Sequence, residues 1–375
     1  MEQVQRRRRV LSGIGRATVV LVSTATLGAS ALGWTAYQGV TVAVTTDDVI
    51  AAPATAPSRE KAAATDMTFL LVGVDSRTDA QGRPLPREVL DELQAGNASG
   101  EQNTDTMILV HVPADRAKKA FAVSLPRDSY VDIAGGFGRH KLNSAYSRAK
   151  NAAGGSATAG RRNLIETVST LTGLRVDHYA EINMYAFSQI TKAVGGVPVC
   201  LNKAVEDSYS GADFAKGEQV IQGADALRFV RQRHGLPRGD LDRVRRQQAF
   251  LAGLASRVLS AGTLTDPAKV TGLLEAIKTS VVLDQNWDLL SLAEQVQGLS
   301  GGRIEFHTIP TLRSDLATPA DGTAVEVNPK QVKAFVQDLL NAVPAPPVQM
   351  RQGLGPGATE QPQETITANG VHCVN

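Results

Sequence analysis

A cluster of arginines is the clearest chemical signal in this sequence. Between Asp225 and Arg246 the chain contains seven arginines and no lysine. The planar guanidinium group can donate to two oxygens of a phosphate or carboxylate at once, whereas a merely solvated basic surface would be expected to include lysine. The cluster therefore favours a phosphate-binding site, and the alternative is a solvated surface held by salt bridges. The seven residues are Arg228, Arg231, Arg233, Arg238, Arg243, Arg245 and Arg246.

The spacing of these arginines predicts that several of them converge. Arg243 and Arg246 lie three residues apart in a predicted helix, and Gln247 lies four residues after Arg243, so the three side chains are expected to share a face. Arg231 and Arg233 end the preceding predicted helix, across a short loop. Two helix ends could thus direct several guanidinium groups at one anion.

Two aspartates could hold a metal ion beside that anion. Asp75 closes a predicted apolar strand, and Asp105 opens the next one, so antiparallel pairing would bring both carboxylates to one edge of a sheet. Two carboxylates and a substrate diphosphate are a common way to hold Mg²⁺, which keeps several waters. Arg127 follows the third strand and is also expected at a strand end. The alternative is that each aspartate is an ordinary turn or cap residue.

The absence of two common catalytic motifs narrows the class of reaction that the sequence supports. The sequence contains no P-loop and no H-E-x-x-H motif. Arginines and a metal site that stabilise charge are typical of phosphoryl transfer, in which positioning and electrostatics dominate catalysis.

Alternating strand and helix patterns predict an α/β fold that positions these groups. Nearly continuous apolar runs predict buried strands, and apolar residues at helical spacing predict helices, which together indicate a layered sheet. The main predicted strands are 67–74, 106–112, 120–125, 176–182, 197–201 and 304–309. The main predicted helices are 142–153, 156–171, 185–194, 223–233, 241–259, 266–277, 288–297 and 329–340.

The N-terminus predicts a single membrane anchor. Four arginines at positions 6–9 precede a stretch without charged residues over 17–46. About 20 apolar residues span a bilayer as a helix, and upstream arginines favour a cytoplasmic N-terminus. A cleaved signal peptide is the alternative. We therefore expect a cytoplasmic tail over 1–16, a transmembrane helix over 17–40, a linker over 41–65 and an extracytoplasmic body.

The body is predicted to be one catalytic domain over 66–342, followed by an extended tail over 343–375 that is rich in Pro, Gly and Gln. The chain contains only two cysteines, Cys200 and Cys373. In an oxidising compartment an even pair suggests a disulfide, which would tie the tail to the body. Two unrelated thiols are the alternative.

Seven strings, in chain order, resemble the LytR-CpsA-Psr family of bacterial wall enzymes. They run from about residue 69 to residue 251 and are LLVGVDSR, NTDTMILVHV, SLPRDSYVDI, KLNSAYSRA, GGVPV, GADALRFVRQRH and GDLDRVRRQQAFL. The resemblance implies a central mixed sheet flanked by helices, with an apolar groove for a polyprenyl tail. It also implies Mg²⁺-dependent transfer of a polymer from a polyprenyl-pyrophosphate carrier to peptidoglycan.

The resemblance further implies roles for individual residues. Asp75 and Asp105 would bind the metal. Catalytic roles would fall to Arg127, Arg231, Arg233 and Asp75, with Asp75 as the candidate general base. The interval between the two aspartates is longer than the minimal family spacing, which indicates an insertion around 84–100. The pyrophosphate would be contacted by Arg77, Arg127, Arg231, Arg233, Arg243, Arg246 and Gln247.

The sequence is compatible with three functions. The leading hypothesis is a membrane-anchored phosphotransferase that joins a lipid-linked glycan to peptidoglycan. The second is a hydrolase of the polyprenyl-pyrophosphate carrier, and the third is a non-catalytic anchored protein that binds or senses such lipids. A nucleic-acid partner is not expected, because the arginine cluster is predicted to lie outside the membrane. Teichoic acid, capsule and arabinogalactan are all compatible glycans.

Overall fold

A computed structural model describes residues 44–50, 65–96, 104–115, 117–236, 239–285, 287, 303–341 and 365–375. The predicted tail over 1–16, the predicted transmembrane helix over 17–40 and the predicted helix over 288–297 lie outside these residues. Within the described ranges, no helix is both long enough and apolar enough to cross a bilayer. From Thr45 onward the described residues belong to one compact unit.

Seventeen strands and nine helices form the described part of the chain. The strands are β1 (Thr45–Asp47), β2 (Met67–Val74), β3 (Thr104–Val112), β4 (Ala120–Ser124), β5 (Ser129–Ile133), β6 (Gly138–Lys141), β7 (His178–Asn183), β8 (Val197–Leu201), β9 (Val205–Asp207), β10 (Ala212–Phe214), β11 (Gly217–Ile221), β12 (Val281–Asp284), β13 (Ile304–Thr308), β14 (Leu316–Ala317), β15 (Thr323–Glu326), β16 (Ile366–Thr367) and β17 (Cys373–Val374). The helices are α1 (Arg87–Glu92), α2 (Ser144–Ala152), α3 (Ala157–Thr172), α4 (Met184–Ala193), α5 (Gly223–Arg231), α6 (Asp240–Val258), α7 (Ala261–Leu264), α8 (Pro267–Ser280) and α9 (Pro329–Leu340).

The central sheet has eight strands in the order β1-β12-β7-β2-β3-β4-β13-β16. β2 pairs antiparallel with β3 and parallel with β7, and β4 pairs parallel with β13, so the sheet is mixed. The predicted α/β class with a mixed central sheet flanked by helices is therefore confirmed for the described residues.

Both faces of this sheet pack against apolar side chains of other elements, one face more completely than the other, which explains why its strands are nearly continuous apolar runs. Leu70 and Val72 point into one core, where Leu164 and Val168 of α3 meet them. Successive side chains of a strand point to opposite faces. The alternate residues, such as Leu71, therefore lie on the other face with residues of α6, and they remain only partly buried. The incompletely covered face is the one that carries the candidate site described below.

Local sequence signals set the ends of the helices. Ser156 is the N-cap of α3, where its hydroxyl accepts a hydrogen bond from the amide of Ala159 at 3.3 Å. Gly173 ends the same helix with φ of 75°, a left-handed conformation that glycine adopts without a steric penalty.

The linker predicted over 41–65 is wrong for its first part. Thr45–Asp47 forms β1, which pairs parallel with β12 at the edge of the central sheet. The side chain of Asp47 accepts hydrogen bonds from Thr158 at 2.8 Å and from Arg161 at 2.7 Å, and these contacts hold the strand against α3. A composition rich in Ala and Thr did not reveal this pairing, because the pairing depends on residues that are more than 100 positions away in the sequence.

The extended tail predicted over 343–375 is also wrong in part. Ile366–Thr367 pairs with β13 and Cys373–Val374 pairs parallel with β8, so the described residues 365–375 contribute a strand to each of two sheets. Ile366 is fully buried. The structure joins Cys373 to Cys200 of β8 by a disulfide, which fixes the last strand to the body.

Candidate active site

A cavity of about 450 Å³ lies on the partly covered face of the central sheet. Its walls come from β2 and β3, from the start of α4, from α5 and α6, and from the turn between β9 and β10. Eight charged side chains line it, and we call them the charged part of its lining, namely Asp75, Arg77, Asp105, Arg127, Asp207, Arg231, Arg233 and Arg243. We call the following set of apolar side chains the apolar part of the lining, namely Leu71, Ile108, Ile182, Phe187, Leu227, Val230, Phe250 and Leu251.

The two predicted metal ligands come together in this cavity. β2 and β3 are antiparallel neighbours, with Gly73 opposite Thr106 and Val74 opposite Thr104. Asp105 is thus the extra residue of a β-bulge, and bulges next to active sites re-aim a side chain. Asp75 directly follows β2, and both carboxylates line the cavity. The antiparallel pairing on which the prediction depended is confirmed.

Arg127 is held between two carboxylates. Its Nη1 donates to Asp105 Oδ1 at 2.5 Å, and its Nε lies 3.6 Å from Asp128 Oδ2. Burial alone would lower the pKa of Arg127, but the charges of Asp105 and Asp128 outweigh burial and raise it. The guanidinium is therefore a fixed cation at the charged part of the cavity.

Arg243 belongs to the face of α6 that lines the cavity. Gln247, Phe250 and Leu251 follow it at helical spacing and line the same cavity, so polar side chains give way to apolar ones along the helix. Arg243 is almost fully buried and pairs with Asp240 at 2.6 Å. Burial lowers the pKa of Arg243 to about 10, against the opposing charge of Asp240.

Arg77 and Arg231 are held by main-chain carbonyls of the inserted segment. Arg77 Nε donates to the carbonyl of Ala95 at 2.9 Å, and Arg231 Nη1 donates to the carbonyl of Leu93 at 3.1 Å. The same two guanidinium groups lie 3.5 and 3.6 Å from the carboxylate of Asp75. Burial lowers the pKa of Arg231, whereas Asp75 opposes that effect. The sequence predicted an insertion here but not that it orients cavity arginines.

The inserted segment is anchored by its own small apolar core. Leu90 of α1 and the nearby Leu93 pack with Met184 of α4 and Leu227 of α5. Glu92 also pairs with Lys192 of α4 at 2.8 Å. These contacts explain how a short helix can hold two carbonyl groups in fixed positions beside the cavity.

Arg246 does not line the cavity, contrary to its predicted role at the pyrophosphate. It is fully buried, and its Nε donates to the main-chain oxygen of Asn375 at 2.8 Å. Its Nη1 contacts Gln232, and its guanidinium carbon lies 5.0 Å from the ring centre of Phe229. Residues three apart on a helix are neighbours, but the boundary between cavity and core falls between Arg243 and Arg246.

The other predicted anion-binding residues line the cavity. Arg233 lies 3.7 Å from Asp240, at the start of α6. Gln247 donates to the carbonyl of Val230 at 3.2 Å. Its neighbour Gln248 points elsewhere, into contacts with β4 and β13.

The carboxylates fit the chemistry of a Mg²⁺ site that is completed by substrate. Among the described residues there is no group of three or more acidic, histidine or cysteine side chains that could hold a metal alone. Mg²⁺ in phosphate-transfer sites usually needs only one or two carboxylates together with substrate phosphates. Asp75 Oδ1 is buried and accepts no hydrogen bond from the described residues, so it is available as a ligand.

Three residues of the cavity rim were not predicted from the sequence. Tyr209 and Ser210 lie in the turn between β9 and β10, and His234 follows Arg233 in the loop before α6. Tyr209 carries no motif signal. His234 ends the string GADALRFVRQRH, and that position was the signal that could have marked it.

Comparison with known proteins places the chain in a family. The model of the LytR_cpsA_psr family matches residues 36–339. The cell wall biosynthesis protein LcpA of Corynebacterium glutamicum is 46% identical over 300 residues, which cover 76% of this chain and 57% of that protein. The probable cell wall biosynthesis protein LcpB of the same organism is 37% identical over 64% of this chain and 55% of its own length. This chain thus spans little more than half the length of these two relatives.

More distant relatives and solved structures agree on the family and the fold. The polyisoprenyl-teichoic acid–peptidoglycan teichoic acid transferase TagU of Bacillus licheniformis is 26% identical over 68% of this chain and 76% of its own length. The LytR-Csp2A-Psr enzyme of Actinomyces oris has the same fold, with a TM-score of 0.56 and 18% identity over 79% of this chain and 95% of that one. From the extent of the family match and the identity to LcpA, we conclude that this chain is a member of the LytR-CpsA-Psr family.

Proposed function

We propose that this protein is a membrane-anchored phosphotransferase that moves a glycopolymer from a polyprenyl-pyrophosphate carrier onto peptidoglycan in the cell envelope. The observation that carries the proposal is the lining of the cavity, which combines a charged part with an apolar part. A lipid-linked glycan has the same division, because its pyrophosphate joins an apolar chain to a sugar. The printed names of the relatives LcpA and TagU, which refer to cell wall biosynthesis and teichoic acid transfer, support the same class of reaction.

The charged part suits a pyrophosphate and its transition state. Five arginines and three aspartates line it, so positive charge is in excess. Guanidinium groups that are fixed before the substrate arrives stabilise developing negative charge without reorganisation, and this effect is usually the largest in such reactions. Arg127, Arg231 and Arg243 are held in this way by Asp105, by the carbonyl of Leu93 and by Asp240.

The apolar part suits the polyprenyl chain. Leu71 and Ile108 of the sheet and Phe250 and Leu251 of α6 all line the cavity. Each methylene group removed from water contributes about 0.8 kcal/mol. An isoprenoid chain in this part would therefore bind strongly and place the pyrophosphate against the arginines.

The reaction follows from this placement. A hydroxyl oxygen of the peptidoglycan acceptor attacks the phosphorus attached to the sugar, and the bond from that phosphorus to the bridging oxygen breaks. Polyprenyl phosphate leaves with the electron pair. Asp105 is engaged by Arg127 at 2.5 Å, whereas Arg77 and Arg231 lie at the longer distances of 3.5 and 3.6 Å from the carboxylate of Asp75. One oxygen of Asp75 is therefore the candidate to accept the hydroxyl proton, while the other oxygen could hold the metal. When bound at Asp75 and Asp105, Mg²⁺ would neutralise charge on the phosphate oxygens.

Membrane attachment completes the proposal. The arginines at positions 6–9 and the uncharged stretch over 17–46 support a single N-terminal anchor with a cytoplasmic N-terminus. Such an anchor would place the catalytic unit, which begins at Thr45, directly outside the bilayer that holds its lipid substrate.

The test is product analysis with the full chain in detergent. The protein is incubated with a synthetic polyprenyl-pyrophosphate-linked sugar and peptidoglycan oligomers, in the presence of Mg²⁺ or EDTA. The proposal predicts metal-dependent attachment of sugar phosphate to the acceptor. Free sugar phosphate without an acceptor product would identify a hydrolase instead. Lipid binding without any turnover would identify a non-catalytic lipid-binding protein.

A further inference from the structure

The rim of the cavity carries an aromatic side chain that folding does not bury. Tyr209 is 81% exposed, and it is one of only three large apolar side chains that are exposed in the described ranges. It also lines the cavity, unlike the other two, Val220 and Leu312. An exposed aromatic ring that borders a substrate cavity is available to contact a ligand.

The ring of Tyr209 is held in place rather than left on a loose turn. Its centre lies 4.1 Å from the ring centre of His234, with an angle of 28° between the two planes. Asp207, which is buried, accepts hydrogen bonds from the amide of Tyr209 at 3.0 Å and from the hydroxyl of Ser210 at 2.7 Å. His234 Nδ1 lies 3.7 Å from the same carboxylate. We call Tyr209 and His234 together the rim stack.

The rim stack lies beside charged side chains of the cavity and away from the apolar side chains that α6 contributes to it. His234 directly follows Arg233, which lies 3.7 Å from Asp240 at the first residue of α6. The apolar side chains of α6, Phe250 and Leu251, lie at least ten residues further along the same helix. At 1.5 Å per residue this separation is about 15 Å along the helix axis. A lipid pyrophosphate with its chain in the apolar part would therefore direct its other substituent towards the rim stack.

We propose that the rim stack binds the sugar attached directly to the pyrophosphate of the lipid donor. This inference rests on the proposed function, because it takes the pyrophosphate as the group that the arginines hold. The face of an aromatic ring is electronegative and attracts C–H groups, which a pyranose presents on its flat side. His234 Nε2 makes no hydrogen bond to a described residue, so it can donate to or accept from a sugar hydroxyl.

The test compares two lipids that differ only in the sugar. Dissociation constants are measured in detergent, with the full chain, for polyprenyl pyrophosphate bearing one N-acetylhexosamine and for polyprenyl pyrophosphate alone. Tyr209→Ala is expected to weaken binding of the sugar-bearing lipid about five- to tenfold, the effect of losing one aromatic contact. Binding of the sugar-free lipid is expected to stay unchanged. Tyr209→Phe and Tyr209→Trp keep a ring and are expected to bind both lipids as the wild type does.

Leu312→Ala is the matched control, because Leu312 is exposed but does not line the cavity. Equal weakening of both lipids by Tyr209→Ala, or no weakening of either, would overturn the sugar site while leaving the proposed function intact. An unchanged donor affinity with a raised KM for the peptidoglycan acceptor would also overturn it, because the ring would then contact the acceptor. If the wild-type protein bound neither lipid, the proposed function would be contradicted, and with it the sugar site that rests on that function.

Discussion

Arg127 Nη1 and Asp105 Oδ1 form a 2.5 Å hydrogen bond that joins the segment after β4 to the bulge at the start of β3. The bond places a cation and a candidate metal ligand side by side in the cavity, and each orients the other. A change at either residue should therefore disturb the charged end without disturbing the core of the sheet.

Replacing Arg127 tests its role at the phosphate. Arg127→Ala should lower turnover of a polyprenyl-pyrophosphate-linked sugar by roughly 100- to 1,000-fold, the usual effect of removing one group that stabilises the transition state. Arg127→Lys should recover only part of the activity, because lysine keeps the charge but not the planar fork. The control is Arg139→Ala, since Arg139 is exposed and does not line the cavity. Unchanged turnover in Arg127→Ala would remove this residue from the site.

Replacement by methionine should affect the free energy of unfolding differently at Arg243 and at Arg161. Arg161 is matched by a two-pronged contact with Glu181, at 2.8 and 2.9 Å, and by Asp47. Burial opposes its charge, but the hydrogen bonds and the charge of Glu181 outweigh burial and raise the pKa of Arg161. Among the described residues Arg243 forms an ion pair with one carboxylate, that of Asp240, and its pKa is lowered to about 10. Burying the Arg243 cation therefore lowers the free energy of unfolding at pH 7. This cost disappears only as the pH rises above about 10, where the folded protein loses the proton.

Arg161→Met should accordingly cost about 3–5 kcal/mol in the free energy of unfolding, because it leaves two partly buried carboxylates, Asp47 and Glu181, without this counter-charge. Arg243→Met should change that free energy by less than about 1 kcal/mol, or increase it, and yet abolish turnover. Urea denaturation of the two variants and of the wild type measures the difference. A loss of stability in Arg243→Met as large as that in Arg161→Met would show that Arg243 has a structural role.

The inserted segment should affect substrate affinity through the arginines it holds. Leu90→Ala removes a buried side chain from the small core beneath α1, so the carbonyls of Leu93 and Ala95 should no longer fix Arg231 and Arg77. We expect the dissociation constant for polyprenyl pyrophosphate to rise about tenfold, which corresponds to about 1.4 kcal/mol.

Glu88→Ala is the control for this change, because Glu88 lies on the same helix and is exposed. Affinity is measured at a temperature at which circular dichroism shows both variants fully folded. An unchanged dissociation constant in Leu90→Ala would mean that the inserted segment does not position the arginines.

The disulfide should stabilise the whole unit. Cys200 and Cys373 are 173 residues apart in the sequence, and a bond that closes so long a loop restricts the unfolded chain strongly. Cys373→Ser should lower the free energy of unfolding by about 2–5 kcal/mol, and Cys200→Ser and the double variant should lose the same amount. Non-reducing mass spectrometry of the wild type supplies the control. Two free thiols in that measurement would contradict the bond.

Much of the cavity could be predicted because its residues sit at the ends of strongly patterned elements. The apolar run of β2 ends at Asp75, and antiparallel pairing with the next strand was enough to bring Asp105 beside it. The spacing of Arg243 and Gln247 placed them on one helix face, and both line the cavity. These are local regularities, which a single sequence expresses directly.

The features that were missed depend on contacts between distant segments. A helix period shows that Arg246 neighbours Arg243 but not where the cavity ends, and Arg246 lies in the core against Asn375. Main-chain carbonyls such as those of Leu93 and Ala95 have no sequence signature at all. Thr45–Asp47 reads as a linker because its partner strand, β12, lies far along the chain.

The most direct test of the proposed function follows the phosphorus atom attached to the sugar. A polyprenyl-pyrophosphate-linked sugar is labelled with ³²P at that position alone and incubated with the full chain, Mg²⁺ and peptidoglycan oligomers. We predict that the label appears in the peptidoglycan product as a phosphodiester and that the released polyprenyl phosphate is unlabelled. Label retained on the lipid, or released only as free sugar phosphate, would contradict it.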